Sequence, residues 1–278
     1  MEDFRIMLSQ ERNKPKDRIA PPMRRHVEAN TLGRDFIMGD LHGCYDQLTE
    51  KLKLVSFDTT CDRLFSVGDL IDRGPDSLKC LMLINEPWFH SVLGNHEAMM
   101  LQYLGLRSNH YTSAKDFVYN GGWWFDKLSE EDKYTVFELA KKKVMDIPLR
   151  LTVKHPAGDF DVVHAQYYTT HPLKDSLEYS EPIETVMTWG RSLFSHVHRT
   201  ADPEKRRELT ELHYAGIKKL VSIEPVMVNR RLTYVGHTIV RTPIKSRSHV
   251  FLDTGAYEGD TNKYRSLTMI EHGTQQLY

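Results

Sequence analysis

The sequence is poor in cysteine, and this already limits the chemistry that the chain can carry. Its 278 residues include three cysteines, Cys44, Cys61 and Cys80, which cannot all pair within one chain. None belongs to a Cys-x-x-Cys pair, so neither a disulfide framework nor a thiolate metal site is indicated. We expect reduced thiols. Cys44 lies beside a motif described below, and a functional role for it is the alternative to simple packing.

Excess charge of either sign and long apolar runs are also missing. The formal net charge is −1, which gives no general attraction to nucleic acid or to an anionic membrane. No apolar run reaches the length that crosses a bilayer, and the N-terminus lacks an apolar signal core. We therefore expect a soluble, cytoplasmic protein that binds neither nucleic acid nor membrane. With 40% hydrophobic and 27% charged residues, the chain can build a real core.

Two segments differ from the rest of the chain in composition. Residues 1–30 are charged and interrupted by prolines, and we predict an N-terminal extension that is partly disordered or packed on the surface. A single domain is predicted over residues 31–278. Within it, about residues 196–220 are charge-rich and helical in composition. This segment is a lid, a partner surface or a solvated insertion, and the solvated insertion is the default.

Three strand–loop–helix units occupy the first half of the domain. Apolar strands are predicted at residues 35–38, 64–67 and 89–93. Each is followed by a short polar turn and then a helical pattern, the third of which begins at Ala98. Three such units in succession predict a core of parallel strands.

The middle of the chain is helical in composition, and the back half returns to strands. The run Asn120-Gly121-Gly122-Trp123-Trp124-Phe125 interrupts the helical region. We expect Trp124 to pack in the core, whereas Trp123 is either a packing group or a wall of a substrate cleft. Later strands are predicted at residues 149–153, 160–163, 232–235, 250–253 and 267–270, the first two joined by a hairpin turn.

Residue types that bind metals follow five of these strands directly. They are Asp40 and His42, Asp69, Asn95 and His96, His164, and His237. Taken singly, such a residue is more often part of a hydrogen-bonded or solvated turn. The recurrence favours a shared cause, because the carboxyl ends of strands in an open α/β sheet are where ligands bind. The pattern predicts a metal centre at one edge of the sheet.

The predicted ligands suit two divalent ions. Carboxylate, imidazole and amide oxygen together favour Mn²⁺, Fe or Zn²⁺ over Ca²⁺ or a thiolate-bound metal, and Mn²⁺ is our first expectation. One bridging carboxylate holds two ions about 3.5–4 Å apart. Asp69 is the natural bridge, because its motif lies in the sequence between the one that carries Asp40 and His42 and the one that carries Asn95. We predict Asp40, His42 and Asp69 as ligands of the first ion, and Asp69, Asn95, His164 and His237 as ligands of the second.

The turn after Asp69 carries further polar residues and is closed by Gly74 and Pro75. An unpaired buried carboxylate is costly, so a pair of them at a strand end requires a cation. We interpret Asp72 as an orienting acid and Arg73 as a phosphate clamp. The alternative is an ordinary turn of solvated charges, since Asp, Gly and Pro are common in turns.

Three of these motifs resemble the phosphoesterase motifs of the phosphoprotein phosphatase family. They are Gly39-Asp40-Leu41-His42-Gly43, Gly68-Asp69-Leu70-Ile71-Asp72-Arg73-Gly74 and Gly94-Asn95-His96-Glu97. The closer resemblance is to the lambda-type serine/threonine phosphatases and their bacterial relatives, and it extends from about residue 35 to the C-terminus. The additional motifs that carry it are Asn120-Gly121-Gly122-Trp123, His164-Ala165, Trp189-x-Arg191, Gly236-His237-Thr238 and Asp253-Thr254-Gly255-Ala256.

The resemblance implies an α/β fold of the calcineurin-like metallophosphoesterase type, with two packed β-sheets flanked by helices and a dimetal site at the loop edge. It implies that His96 is the general acid, that Asp72 orients it, and that Arg73 and Arg191 bind phosphate together with Asn95. A water bridging the two ions would attack phosphorus in line while an imidazole protonates the leaving alkoxide. The expected substrates are phosphoserine and phosphothreonine in proteins or peptides, with phosphotyrosine left open.

The sequence supports four other functions less well. A symmetrical dinucleoside tetraphosphatase shares much of the resemblance, but Asp72 and Glu97 favour the phosphatase. A phosphodiesterase or nuclease needs a basic surface to bind the phosphate backbone of nucleic acid, and the balanced charge of the chain does not indicate one. No cysteine begins a Cys-x₅-Arg loop, which excludes a cysteine phosphatase. A non-catalytic binding protein should have lost ligands or the acid, and all are present. Gln166 departs from the family pattern and leaves substrate preference open.

Overall fold

The described residues of the protein form two β-sheets, whose buried strands are largely apolar. The computed structural model describes residues 4–14, 19–108, 112–167, 178–224, 231–259, 261–262 and 264–278. The strands are β1 (Arg25–Val27), β2 (Asp35–Met38), β3 (Arg63–Ser66), β4 (Phe89–Ser91), β5 (Arg150–Val153), β6 (Phe160–Val163), β7 (Val221–Ser222), β8 (Leu232–Val235), β9 (Ile244–Ser246), β10 (His249–Phe251) and β11 (Met269–Glu271).

Helices cover the outer faces of the sheets. They are α1 (Phe4–Asn13), α2 (Tyr45–Leu54), α3 (Ser77–Met82), α4 (Asn95–Tyr103), α5 (Ala114–Tyr119), α6 (Glu130–Lys142), α7 (Glu181–Trp189), α8 (Ser192–Thr200) and α9 (Pro203–Ala215). A 3₁₀ segment, Gly122–Lys127, joins α5 to α6. Among the described residues, no helix is both long enough and apolar enough to span a membrane.

The smaller sheet has the order β11-β2-β3-β4. Strands β2, β3 and β4 are parallel, and β11 pairs antiparallel with β2 at the edge. The parallel core expected from the three strand–loop–helix units is therefore confirmed. Its strands are apolar on both faces, because one face packs on helices and the other on the second sheet.

The larger sheet has the order β1-β5-β6-β8-β10-β9-β7. Strands β5 and β6 form the expected antiparallel hairpin, and β8 lies parallel to both β6 and β10. A shared apolar layer joins the sheets: Ile37 and Phe65 of the smaller sheet belong to one buried cluster with Phe160, Val162 and Tyr234 of the larger. Alternate residues of β2, such as Phe36, belong to the helix-covered cluster instead.

Within residues 1–30, one helix and one strand pack against the rest of the chain. Helix α1 buries Phe4 and Leu8, and the Phe4 ring lies 5.9 Å from that of Phe125. Strand β1 pairs in parallel with β5 and so forms one edge of the larger sheet. Neither α1 nor β1 is disordered, and both pack against the domain, as the surface-packed alternative expects; residues 1–3 and 15–18 lie outside the described residues. The domain boundary after residue 30 stays a prediction.

The segment at residues 196–220 is exposed along α9, which buries no side chain, and this fits the default of a solvated insertion. Its end, however, is anchored. Lys218 Nζ donates hydrogen bonds to the backbone oxygens of Ser266 and Leu267, both at 2.8 Å, and to the Thr268 hydroxyl at 2.7 Å. Partial burial lowers the pKa of Lys218 to about 6. A partly buried lysine thus ties the insertion to the strand end before β11.

Candidate active site

The loops that follow β2, β3, β6 and β8 meet at one edge of the two sheets, together with the start of α4. These loops carry Asp40 and His42, Asp69 to Arg73, His164, and His237. Helix α4 begins at Asn95, three residues earlier than the helical pattern predicts, so Asn95 and His96 form its first turn. The structure therefore brings all of the predicted metal ligands together, from elements of both sheets.

Two buried triads of possible ligands share Asp69. One consists of His42, Asp69 and His96, the other of Asp69, His164 and His237, and within each triad the ligand atoms lie within 4.8 Å of one another. One carboxylate oxygen of Asp69, Oδ2, lies 3.7 Å from His42 Nε2 and 3.3 Å from His164 Nε2. A carboxylate between two sets of imidazoles is the arrangement expected of a bridging ligand.

The other two predicted ligands adjoin the second triad. The Asp40 carboxylate accepts a hydrogen bond from the His237 backbone N–H, with N–O distances of 3.0 and 3.1 Å. Asn95 Oδ1 lies 2.8 Å from His164 Nε2 and 3.0 Å from His237 Nδ1. Asp40 thus adjoins the cluster through the His237 backbone, and its place in the ligand set stays a prediction.

The electrostatics of the cluster fit divalent cations. Burial, and then the Asp253 and Asp69 carboxylates, raise the pKa of Asp40 well above its usual value. Burial also raises the pKa of Asp253 to about 6. Burial acts to raise the pKa of Asp69 as well, but the imidazoles of His164 and His96 outweigh it and hold that pKa well below its usual value. Clustered buried carboxylates of this kind are stabilised by a bound cation.

Two histidines of the cluster, His42 and His237, are held as neutral ligands would be. Burial and the neighbouring His164 lower the pKa of His237 to about 2, and its buried Nε2 has no hydrogen-bond partner among the described residues. Burial likewise lowers the pKa of His42 well below its usual value. The His42 Nδ1 lies 2.9 Å from the Ile71 backbone oxygen, which fixes the ring and leaves Nε2 facing Asp69. The residues present therefore fit the expected pair of ions.

The turns that carry these residues have unusual backbone geometry. His42, Asp69, Asp72, Arg73 and His237 adopt φ between 45° and 76°, a region that costs non-glycine residues about 1–3 kcal/mol each. Glycines allow the close approach. A Cβ added to Gly94 would lie 2.3 Å from Asp69 Oδ1, and one added to Gly236 would lie 1.9 Å from Asp40 Oδ1. The carboxylates thus fill space that any side chain at these glycines would occupy.

A histidine–carboxylate pair lies beside the cluster. His96 Nδ1 and Asp72 Oδ2 are 2.6 Å apart, both residues are buried, and His96 Nε2 lies 3.9 Å from Asp69 Oδ2. The second Asp72 oxygen accepts a hydrogen bond of 2.7 Å from the Trp124 indole N–H. Trp124 is buried as expected, but it also positions Asp72. This geometry leaves one imidazole nitrogen directed at the cluster, as a general acid requires.

Two arginines lie at the mouth of the site. Arg73 Nη1 is 2.7 Å from His42 Nε2, and the Arg73 guanidinium lies 4.6 Å from the centroid of the Tyr257 ring. Arg191 is exposed, and its Nη2 lies 3.5 Å from the His237 backbone oxygen. Guanidinium groups beside a cation site suit recognition of a phosphate.

Two residues with a place in this site were not predicted as site residues. The Glu97 carboxylate accepts hydrogen bonds from the backbone N–H groups of Asp69, Leu70 and Gly94, at 3.0, 2.8 and 3.2 Å. Burial and the nearby Asp69 raise the pKa of Glu97 to about 7. Asp253 is buried near Asp40. A glutamate three residues after Gly94 is the available sequence signal for the first, since that spacing is typical of a helix capping box.

Comparisons with known proteins agree with this site. The family model "Calcineurin-like phosphoesterase" matches residues 36–238, which is well over half of the chain. Serine/threonine-protein phosphatase 2 of Salmonella typhimurium is 33% identical over 169 residues, covering 59% of this chain and 72% of that protein. The symmetrical bis(5'-nucleosyl)-tetraphosphatase of Haemophilus ducreyi is 29% identical over 155 residues, covering 55% of this chain and 52% of that protein. The match therefore spans about half the length of that tetraphosphatase.

A solved structure shares the fold. The crystal structure of a candidate diadenosine tetraphosphatase superposes with a TM-score of 0.53 at 21% identity, covering 91% of this chain and 96% of that one. The expected α/β architecture, two sheets flanked by helices, is confirmed by this likeness and by the strand order. The matched family model and the convergent histidines and carboxylates lead to the same conclusion: the chain is a member of the calcineurin-like phosphoesterase family.

Proposed function

We propose that the protein is a metal-dependent phosphomonoesterase that removes phosphate from phosphoserine and phosphothreonine in proteins or peptides. The observation that carries this proposal is the buried His96–Asp72 pair, 2.6 Å apart, set beside the shared carboxylate Asp69. Release of a serine or threonine alkoxide at neutral pH needs a proton donor at this place. The Salmonella typhimurium relative named a serine/threonine-protein phosphatase supports the same substrate class.

Each residue of the site then has a defined task. His96 protonates the leaving oxygen, and Asp72 orients the ring and stabilises the imidazolium before the proton is transferred. Trp124 holds Asp72 in place. Arg73 and Arg191 bind the phosphate oxygens, with Asn95 at the inner end of the site. The neighbouring positive charges neutralise the equatorial oxygens as they gain charge.

The ligand cluster would hold the two divalent ions, with Asp69 between them. Once bound, such ions would supply Lewis-acid activation of a water molecule and neutralisation of phosphate charge. Mn²⁺ is the ion that we propose, with Fe and Zn²⁺ as the others that the mixed oxygen and nitrogen ligands suit. The proposed location is the cytoplasm, where phosphoprotein substrates are found.

The second candidate is hydrolysis of symmetrical dinucleoside tetraphosphates. The observation in its favour is the run of relatives that carry this name, among them the Haemophilus ducreyi protein. Both reactions cleave a phosphate bond with the same ions and arginines. They differ in the leaving group, which is an alkoxide in one and a nucleotide phosphate in the other.

One experiment separates the two. The metal-free protein is reconstituted with Mn²⁺, Fe²⁺ or Zn²⁺ and assayed on phosphoserine peptides and on diadenosine tetraphosphate in parallel. We expect Mn²⁺ to restore peptide dephosphorylation with a higher kcat/KM than that for diadenosine tetraphosphate. A higher kcat/KM for the dinucleotide would reverse the order of the candidates, and an inactive protein with every metal would refute both.

A further inference from the structure

A groove of about 340 Å³ lies beside the site, between the turn after Arg73 and the 3₁₀ segment Gly122–Lys127. Pro75 and Leu78 form one wall, and Trp123, Trp124 and Leu128 form the other. The volume falls at the lower end of the range for ligand pockets, about 300–1,000 Å³. The groove is therefore large enough for one large side chain of a partner.

The two tryptophans of the groove have different environments. Trp124 is 7% exposed and hydrogen-bonded to Asp72, whereas Trp123 is 46% exposed. Packing accounts for the burial of Trp124, but it leaves nearly half of the Trp123 surface accessible at the groove. An aromatic side chain in this position offers a large contact area to an occupant. Of the two interpretations of Trp123, the structure favours the wall of a cleft.

The groove adjoins the turn that carries Asp72 and Arg73. The Arg73 backbone N–H donates to the Gly121 oxygen at 3.4 Å, and a Cβ added to Gly121 would lie 2.8 Å from the Arg73 nitrogen. Trp124 lines the groove with one face and donates its indole N–H to Asp72. A chain whose phosphate contacts Arg73 can therefore extend along the wall that Trp123 forms.

The charges on the groove indicate what it excludes, and its apolar walls indicate what it accepts. Lys127 Nζ lies 4.0 Å from the centroid of the Trp123 ring, and Lys79 Nζ lies 2.7 Å from an Asp76 oxygen. Two lysines against one aspartate leave a positive excess on a mainly apolar surface. A basic side chain would be repelled there, and an apolar or aromatic one would be accommodated.

We propose that this groove binds a large apolar or aromatic side chain of the substrate, close in sequence to the phosphorylated residue. The inference rests on the proposed phosphoprotein phosphatase function and adds a substrate preference to it. Its occupant is a peptide flank, because the groove adjoins the turn of the arginine that would hold the phosphate. Trp123 acts as a specificity-determining residue and takes no part in the chemistry.

The test uses the full chain loaded with Mn²⁺ and a series of polar phosphoserine peptides. Each peptide carries one phenylalanine at a different position beside the phosphoserine, and the parent carries none. We expect at least one position to raise kcat/KM about tenfold, the discrimination that an apolar pocket gives. Trp123→Ala should abolish this preference, whereas Tyr134→Ala should retain it, since Tyr134 is similarly exposed, at 52%, but lies on α6 outside the groove. Turnover of p-nitrophenyl phosphate by each variant measures the fraction of the protein that has an intact active site.

The outcomes separate this inference from the proposed function. Equal kcat/KM across the whole peptide series, or a preference that survives in Trp123→Ala, would refute the proposed role of the groove. Neither result would affect the proposed phosphatase function. Turnover of p-nitrophenyl phosphate without turnover of any peptide would overturn the proposed function and the groove with it. If Trp123→Ala impairs diadenosine tetraphosphate hydrolysis but not the peptide preference, the groove binds a nucleobase and the inference is wrong.

Discussion

At the scale of single residues, the site depends on side chains whose partners lie far away along the chain. The proposed proton donor is the clearest case, because His96 and Asp72 are 24 residues apart and form a buried pair. His96 also belongs to the first triad of possible ligands, whereas Asp72 contacts His96 and Trp124 and belongs to neither triad.

Replacing His96 with asparagine should lower kcat about 10²–10⁴-fold, the usual contribution of a general acid. An asparagine can still accept or donate a hydrogen bond but cannot deliver a proton to an alkoxide. The measurement is steady-state kinetics on a phosphoserine peptide, with metal content determined on the same sample. Near-normal activity would remove His96 from the role, and a loss of bound metal would make it a ligand instead.

Replacing Glu97 with glutamine should reduce metal affinity or activity about 10–100-fold, as is usual for groups that orient metal ligands. The carboxylate accepts three backbone N–H groups around Asp69, and an amide presents one acceptor oxygen and an NH₂ group that would face a donor. Titration of Mn²⁺ into the variant measures the effect. Glu138→Gln, on the surface of α6, is the matched control. Affinity equal to that of the wild type would show that Asp69 is held by other contacts.

The strand-end residues could be predicted because they follow apolar runs, and because Asp40, Asp69, Asn95 and His237 also lie next to a glycine. Glu97, Trp124 and Asp253 could not, because their importance arises from contacts across 28, 52 and about 200 residues of sequence. Burial of a tryptophan follows from its apolar surface, but the partner of its N–H depends on the folded chain.

At the scale of elements, buried and repetitive segments were predictable and short edge segments were not. Strands β2, β3, β5 and β6 are continuous apolar or alternating runs and were found at the expected places. Strands β1, β7 and β9 have two or three residues, too few for a periodic signal, and exist because a neighbouring strand supplies hydrogen bonds. Helix α7 was not predicted either.

Replacing Lys218 with methionine should lower the free energy of unfolding by about 1–3 kcal/mol, since the Ser266 and Leu267 carbonyls would lose a partly buried donor. Lys219→Met is the matched control. Its ammonium pairs with Glu208 at the surface, and such pairs contribute about 0–1 kcal/mol. Urea unfolding of both variants gives the comparison. A Lys218 variant as stable as the wild type would show that the cost of burying the amino group equals the value of its hydrogen bonds.

At the scale of the whole molecule, the larger sheet shows what sequence patterns leave undetermined. The strand order places β8 between β6 and β10, although about 70 residues separate β6 from β8. Local patterns identify strands, but pairing at this separation depends on packing against the shared apolar layer. That two sheets pack together was implied by the family resemblance rather than by periodicity.

The stability of the molecule should fall in mild acid partly because of His272. Its Nδ1 and Nε2 lie 2.8 Å from the Tyr234 hydroxyl and the Gly158 oxygen, and burial lowers its pKa to about 4. The unfolded state therefore binds a proton near pH 6.5 that the folded state binds only near pH 4. Stability decreases as pH falls through this window, by an amount on the order of 3 kcal/mol.

The measurement compares urea unfolding of the wild type and His272→Gln at about pH 7.5 and about pH 4.5. Glutamine keeps a donor and an acceptor but does not titrate in this range. The wild type should lose more unfolding free energy than the variant between the two conditions. Equal losses would mean that His272 binds its proton equally well in the folded and unfolded states.

The shared edge of the two sheets has a mechanical consequence. Asp40, Asp69 and Asn95 follow strands of the smaller sheet, whereas His164 and His237 follow strands of the larger. An ion held by members of both groups would cross-link two layers that are otherwise joined mainly through apolar contacts. Sliding of one layer over the other would then break coordinate bonds, so the melting temperature should rise with the concentration of divalent ion.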